Sequence, residues 1–472
     1  MQRKFNWTPV IMAIVAAFAL WVYFAEYRAT EKREMAKADA TALVPFSISK
    51  VTGFSIHSSG FDTTLKKSGA LWRVEKPYSD LADPAAVEAF LGMLSTEKIK
   101  DAVIEGPTIN WKTYGLDVPV ATLSMDAEVD GKLAKRSVVL GTVPAFDGSV
   151  YARIDGAARV DLVASTAQGA LQKDPRDFRD KHFFPLAEHP ELKSPEFKAL
   201  EILRDGYPKL HFEKLKDTWT QKSAPASSWP LDQGAVKSYV DSLIGLRAAD
   251  VWGENKKDAK VISARKLVRP SMTLLLISDK NLKYEAKFAS LVKAEALAGG
   301  LSSLRPVVFS VHKAQIELFS KSLDDFRDLR FPFQFTVAEL RAIELERPPG
   351  AVSLPVLLKK DGKWILDPAE TRFSGREVRS DIVDQLIVEV SNLRAKSILP
   401  AITPTPKLGP KNSVRIAMVG DKSKKLAEFF FNVEEDSVRV TSTVTPGKVF
   451  EIEKSQFDSL SIDVMTPPKE KR

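Results

Sequence analysis

The side chains that most readily do chemistry are scarce in this 472-residue chain. Cysteine is absent, and histidine occurs five times, at His57, His182, His189, His211 and His312. Without thiols there are no disulfide frameworks, thiolate metal sites, CxxC redox centres or cysteine nucleophiles. No HExxH run sets two imidazoles on one helix face, and His182 and His189 sit in a proline-containing stretch as a surface pair rather than a zinc site. GxSxG is missing, and Ser58-Ser59-Gly60 reads as a turn between strands. GDKSKK at 420–425 has lysines but not the glycines of a phosphate-cradling GxxxxGK[ST] loop. Carboxylates remain. Asp80 with Asp83, and Asp381 with Asp384, stand a turn apart, the kind of pair a glycoside hydrolase uses as acid and base. Asp83, however, precedes Pro84 as a helix cap, and the second pair faces away from its helix's apolar stripe, so both read as structural. No catalytic residue, metal ligand or cofactor is expected.

The composition names no reaction. Apolar residues make up 44 % and charged residues 28 %, which is ordinary globular material. The 69 basic and 61 acidic side chains leave a formal charge of +8, mild for this length and unlike the basic stripe of a nucleic-acid binder, so no nucleic-acid partner is expected. The length predicts about three domains.

The elements that would position any site occur in triplicate. Trp72, Trp219 and Trp364 lie in the strand-like runs LWRVEKP, DTWTQKS and GKWILDP, 147 and 145 residues apart. After each comes a helix with apolar residues at i, i+3, i+4 and i+7: Val87, Phe90, Leu91 and Leu94; then Val236, Tyr239, Val240 and Leu243; then Val383, Leu386, Ile387 and Val390. Asp83-Pro84 and Asp232 supply helix starts, and Ser374 with Glu377 fits a capping box. Further on, VDLVASTAQGAL, VVFSVHKAQIELF and KVFEIEKSQFDSL place Gln168, Gln315 and Gln456 in equivalent positions. A period near 145 residues is domain-sized, so each copy can bury its own core. The tryptophans read as core packing, with stacking on a sugar ring as the functional alternative.

One motif breaks the symmetry. DPRDFRDKHFF closes the first copy and LDDFRDLRFPF the second, with Arg179 and Arg327 148 residues apart, and the third copy has no such ending. A motif present only where another copy follows predicts an inter-domain junction. In this reading Arg179 pairs with Asp177 and Asp180, Arg327 pairs with Asp325 and Asp328, and the phenylalanines pack on the next domain. A solvated turn is the competing reading.

Phe5 to Ala25 is an uncharged run of 21 residues, long enough as a helix to cross a hydrocarbon core of roughly 30 Å, with Trp7 near one end and Trp21 and Tyr23 near the other. Tyr23 argues against cleavage after Ala25, so the segment reads as a retained anchor rather than a secretory signal. The charged, alanine-rich stretch 26–40 reads as a helical stalk. Arg3 and Lys4 precede the span, and Arg28, Lys32, Arg33 and Lys37 follow it, a count that by itself would leave the large domain in the cytoplasm.

WRVEKPYSDLADPAAVEAFLGML, TYGLDVPVATLSM, the VVLG…VYARI…VDLV stretch and DFRDK resemble a bacterial domain of unknown function. Tyr114-Gly115-Leu116-Asp117 with Pro119 is the most recognisable piece; the second copy keeps only LVRP at 267–270 there and the third KLGP at 407–410. Members of that family are anchored by one amino-terminal helix, repeat the domain, and lie beside genes for gliding-motility-type ABC transporters. The resemblance implies soluble domains outside the cytoplasm, an inner-membrane location, and a transporter permease or its extracytoplasmic accessory subunit as partner. It carries no catalytic residues.

The expected fold is therefore α+β: an N-terminal transmembrane helix followed by three tandem repeats of one mixed strand/helix domain. The expected divisions are anchor and stalk 1–45, repeats 46–188, 196–333 and 335–464, and a disordered tail 465–472. The expected function is that of an interaction or scaffold component of an ABC-type export system, bound to membrane lipid through residues 5–25. The alternative is an anchored cell-envelope enzyme or glycan-binding protein acting on cell-wall polysaccharide.

Overall fold

The structure, a computed structural model, describes residues 21–24, 41–58, 60–193, 196–222, 229–291, 294–333, 335–346, 356–373, 375–400, 403, 405–406, 413–460 and 463–466. The chain divides into two compact units, one of residues 1–196, 244–275 and 282–315, the other of residues 197–243, 276–281 and 316–472.

Three antiparallel sheets dominate, of nine, eight and eight strands, running from Val51 to Val163, Phe197 to His312 and Ala342 to Glu453. They share one strand order. The opening strands of each form a meander at one side, the four strands after the core helix follow in sequence, and the strand directly after that helix crosses to the far edge. Those edge strands are Ile99–Glu105, Asp250–Gly253 and Ser397–Ile398. The first sheet adds one two-residue strand, Asp80–Leu81.

This corrects the expected α+β class. Each copy has one core helix, Pro84–Thr96, Gln233–Ile244 or Ser380–Ser391, and one short closing helix, Ser165–Leu171, Lys313–Leu318 or Lys454–Leu460, with a further six-residue helix, Ala259–Ala264, in the second copy, against eight or nine strands. A mixed strand/helix domain was expected, but the strands far outnumber the helices in every copy. Tight hairpins join neighbouring strands. Asp130-Gly131, Lys216-Asp217 and Asp361-Gly362 all have positive φ and join the flanking pairs Val129 and Lys132, Leu215 and Thr218, and Lys360 and Lys363. Two left-handed residues in a row give the backbone twist that matches a right-twisted hairpin.

The expected transmembrane helix is also not part of the observed fold. No helix among the described residues is long and apolar enough to cross a membrane. Of residues 5–25 only Trp21–Phe24 are described, as helix; the rest of that span, the stalk 26–40, Ser374 of the expected capping box and the tail from Pro467 lie outside the described residues. The third core helix begins at Ser380 rather than near Ser374.

The core helices turn their apolar stripes inward. Val87, Phe90, Leu91 and Leu94 join Phe54, Leu65, Trp72 and Leu123 in one buried cluster of the first unit. Val383, Leu386, Ile387 and Val390 join Trp364, Phe429 and Phe450 in the second. Fully burying each such side chain contributes about 1.5–3 kcal/mol. Asp83 caps the first helix by accepting from the N–H groups of Ala85 and Ala86, and Asp232 accepts from Ala235 N–H at 3.0 Å.

Candidate functional site

Of the residues singled out in the sequence, Arg179 and Asp180 lie on one strap, residues 178–183 (FRDKHF), and Arg327 and Asp328 on another, residues 326–331 (FRDLRF), while Asp177 and Asp325 lie in the turns just before them. Each strap follows a short 3₁₀ turn, Pro175–Phe178 or Asp324–Phe326, and then runs extended. Its two phenylalanines are five residues apart. That is an odd number, so in an extended chain they point to opposite faces. Phe178 packs on Phe90 and Phe54 at ring-centroid distances of 5.2 and 5.8 Å, while Phe183 packs on Phe309 and Phe288 at 4.6 and 5.6 Å. In the other unit Phe326 packs on Phe212 and Tyr239 at 5.0 and 5.1 Å, and Phe331 on Phe450 and Phe429 at 4.9 and 5.5 Å.

Backbone bonds fix both halves of each strap. The closing half pairs with the segment entering the core helix: Arg179 bridges Ala82, with Asp83 N–H donating to Phe178 O and Asp180 N–H to Leu81 O. Arg327 likewise bridges Leu231, with Asp232 N–H donating to Phe326 O and Asp328 N–H to Pro230 O. The opening half pairs with the segment leaving the next core helix, His182 bridging Arg247 and Arg330 bridging Arg394. Each of those arginines reaches back to the cap of the earlier helix, Arg247 to Asp83 at 2.7 Å and Arg394 to Asp232 at 3.7 Å.

The third sheet has the closing half as well. Met465 bridges Val378, Arg379 N–H donates to Val464 O and Thr466 N–H donates to Glu377 O. The third copy therefore lacks the FRD sequence but not its pairing. Val464 and Met465 are buried there, and Arg376 donates to the carbonyl of Thr466 at 2.6 Å and pairs with Asp463 at 2.9 Å.

Around the first strap lies a buried ionic cluster. Arg179 does not pair with Asp177 or Asp180. Its Nε and Nη2 donate to Asp80 Oδ2 at 2.9 and 2.6 Å, and its Nη1 and Nη2 donate to Glu254 at 2.7 Å each. Arg305 Nη2 donates to the other Asp80 oxygen at 2.6 Å, and its Nη1 donates to the carbonyls of Asp180 and His182. Arg179 and Arg305 are each 1 % exposed and Asp80 is 5 %. Two guanidiniums face two carboxylates, so the cluster is formally neutral. Burial works against the Arg179 charge, but the Glu254 hydrogen bonds and the field of Asp80 outweigh it and hold its pKa above the ordinary arginine value. The Arg179 guanidinium also lies 3.9 Å over the Tyr78 ring, whose hydroxyl burial pushes well above the usual phenol range.

Asp180 turns the other way and accepts from the His182 N–H at 2.9 Å, with His182 Nδ1 2.6 Å away. In the second strap Arg327 pairs with Asp324 rather than with Asp325 or Asp328. Asp325 accepts from Ser322 N–H and Oγ at 2.7 Å, and Asp328 accepts from Arg330 Nε and Nη2 at 2.8 and 2.6 Å. Trp229 Nε1 donates to Asp328 O, and its ring packs on Phe450 at 5.3 Å.

The other candidates are structural. Asp80 and Asp83 serve the cluster and the helix cap, and Asp384 accepts from Trp364 Nε1 at 2.9 Å. Trp72, Trp219 and Trp364 are all buried. The TYGLD piece packs against its own sheet: a Cβ on Gly115, where φ is +64°, would lie 2.3 Å from Thr142 Oγ1, and one on Gly141 2.1 Å from Tyr114 O. Among the described residues no group of three or more His, Cys, Asp or Glu side chains is arranged to hold a metal. Sequence reasoning missed Asp80 as a junction residue, and Glu254, Arg305, Trp229 and the bridging Arg247 and Arg394. The only local signal for these was LRA, which follows the core helix at 246–248 and again at 393–395.

Fold and junctions define a tandem-repeat protein of antiparallel sheets joined by straps that serve both neighbours. The chain belongs to the family described as a domain of unknown function (DUF4340), whose model matches twice, at residues 72–270 and 226–413. Each match contains one whole strap and the core helix on either side of it. Among curated proteins and solved structures, none matches the chain.

Proposed function

We propose that this chain is an interaction or scaffold component of an ABC-type export system, held at the inner membrane through residues 5–25 with its sheets outside the cytoplasm. The observation that carries the reading is the use made of the charged and aromatic side chains. Asp80 and Asp83 are tied up around the first strap and Asp384 in a bond to the buried Trp364, which suits a protein that presents surfaces. Membrane attachment and the transporter partner rest on the family resemblance and on the uncharged run 5–25. Tethering beside a permease would make a weak contact effectively intramolecular. The glycan-binding alternative loses the support of Trp72, Trp219 and Trp364, since a sugar needs exposed rings to stack on.

Affinity purification of the full chain from membranes is the test. A permease or accessory subunit should be recovered with it, and a chain lacking residues 5–25 should appear in the soluble fraction. Recovery of neither subunit would overturn the transporter reading, and a membrane-bound deletion variant would overturn attachment through 5–25.

A further inference from the structure

All three core helices are followed by a segment that accepts an incoming peptide in the same way. Arg247 and Arg394 are bridged by His182 and Arg330, residues of the two straps; Lys98 is bridged by Ala42. The next residue donates its N–H to the carbonyl just before the bridged position: Phe183 to Leu246 at 3.0 Å, Phe331 to Leu393 at 3.4 Å and Leu43 to Glu97 at 2.9 Å. That same residue is the buried anchor, with Leu43 and Phe183 fully buried and Phe331 nearly so. A proline follows within two positions in every case, at Pro45, Pro185 and Pro332. Leu43 and Val44 belong to the core cluster that holds Phe90 and Leu94, with Phe46 packed against it.

We infer that residues 42–46 are an opening half-strap, lodged in a peptide-binding groove that each repeat carries beside the exit of its core helix. The groove's ligand class is an extended peptide with an aliphatic or aromatic anchor one residue after the bridging position and a proline shortly beyond. Recognition combines strand-like backbone bonds with one apolar pocket, the usual logic of strand addition. The pocket tolerates Leu43 in the first repeat and phenylalanine in the other two. This assignment does not depend on the transporter reading.

The test uses the full chain. The double variant Leu43→Ser/Val44→Ser removes the resident anchors and leaves the groove empty. Labelled peptides of residues 39–46 and 179–186 are titrated against it, with a scrambled 179–186 peptide as control. Both native-sequence peptides should bind the variant at least about tenfold more tightly than they bind the unmodified chain, where the resident segment competes at high effective concentration. The scrambled peptide should not discriminate. Equal binding to variant and unmodified chain, or binding by 39–46 without 179–186, would overturn the equivalence. Should the double variant fail to fold, a grafted chain carrying Ala42→His, Leu43→Phe and Val44→Phe decides the matter. It should resist proteolysis between residues 41 and 50 as the unmodified chain does, and several-fold faster cleavage there would sink the inference.

Discussion

The two straps have the same backbone pairing and the same pair of phenylalanine anchors, yet their surroundings differ in kind. The first is wrapped in Asp80, Arg179, Glu254 and Arg305, with two arginines almost wholly buried. The second has no such cluster among the described residues: Arg327 pairs with Asp324 three positions away, and Trp229 covers the strap with its ring on Phe450. What the copies share is therefore the minimum that joins one sheet to the next, an extended run with bridges on both halves and a ring on each face. The ionic cluster is an addition. A buried charge network contributes little net stability when complete, because desolvation offsets the Coulomb gain, but it is costly to break, because the surviving charges stay buried.

That asymmetry gives the largest expected effect. Asp80→Ala removes the carboxylate shared by Arg179 and Arg305 and should cost about 3–5 kcal/mol in chemical denaturation of the full chain. Trp229→Ala, at the matching place in the second strap, should cost about 1–3 kcal/mol, since it removes a partly buried ring and one hydrogen bond. A larger loss for Trp229→Ala than for Asp80→Ala would break the contrast between the two straps.

Arginine substitutions should separate the straps in the same sense. Arg179→Ala leaves Asp80 and Glu254 with fewer donors and should speed limited proteolysis between residues 163 and 197 several-fold, consistent with a loss of about 3 kcal/mol. Arg327→Ala removes a local pair whose Nε already lacks an acceptor, so cleavage between residues 312 and 342 should change little, with a cost below about 1 kcal/mol. Matching acceleration in both variants would mean that the cluster adds nothing special to the first strap.

How much of this could be read in the chain depended on range. The apolar stripes of the core helices were legible because helical periodicity is local, and the repeat of FRD singled out the two straps by sequence. The partners of Arg179 were not legible. Asp177 and Asp180 are its neighbours in sequence, but an extended backbone sends residue 180 to the opposite side from residue 179. The actual acceptors are 99 residues back at Asp80 and 75 residues on at Glu254, and Arg305 is 225 residues from Asp80. The class was misjudged for another reason: hairpin turns such as Asp130-Gly131 and Asp361-Gly362 are local signals, but how many strands they join into one sheet depends on pairings far apart in the chain.

Acid sharpens the comparison with the smallest expected effect. Asp328 is held below the ordinary carboxylate range chiefly by the hydrogen bonds of Arg330, with burial opposing. Asp180 is also held low, although there burial is the larger influence and pushes upward, and the His182 hydrogen bonds with the charge of Arg305 overcome it. A carboxylate whose folded pKa is depressed stabilises the native state fully above its unfolded value near 3.9, and that contribution disappears as pH falls through the lower folded value. Both straps should therefore loosen only below about pH 4. Asp180→Asn and Asp328→Asn should each lower stability at neutral pH and flatten the loss on acidification, measured as the difference in denaturation midpoint between pH 6 and pH 3. The buried Asp180, beside Arg305, should show the steeper dependence. If Asp328→Asn flattens the acid slope more than Asp180→Asn does, exposure rather than the buried cluster sets how tightly each strap is held.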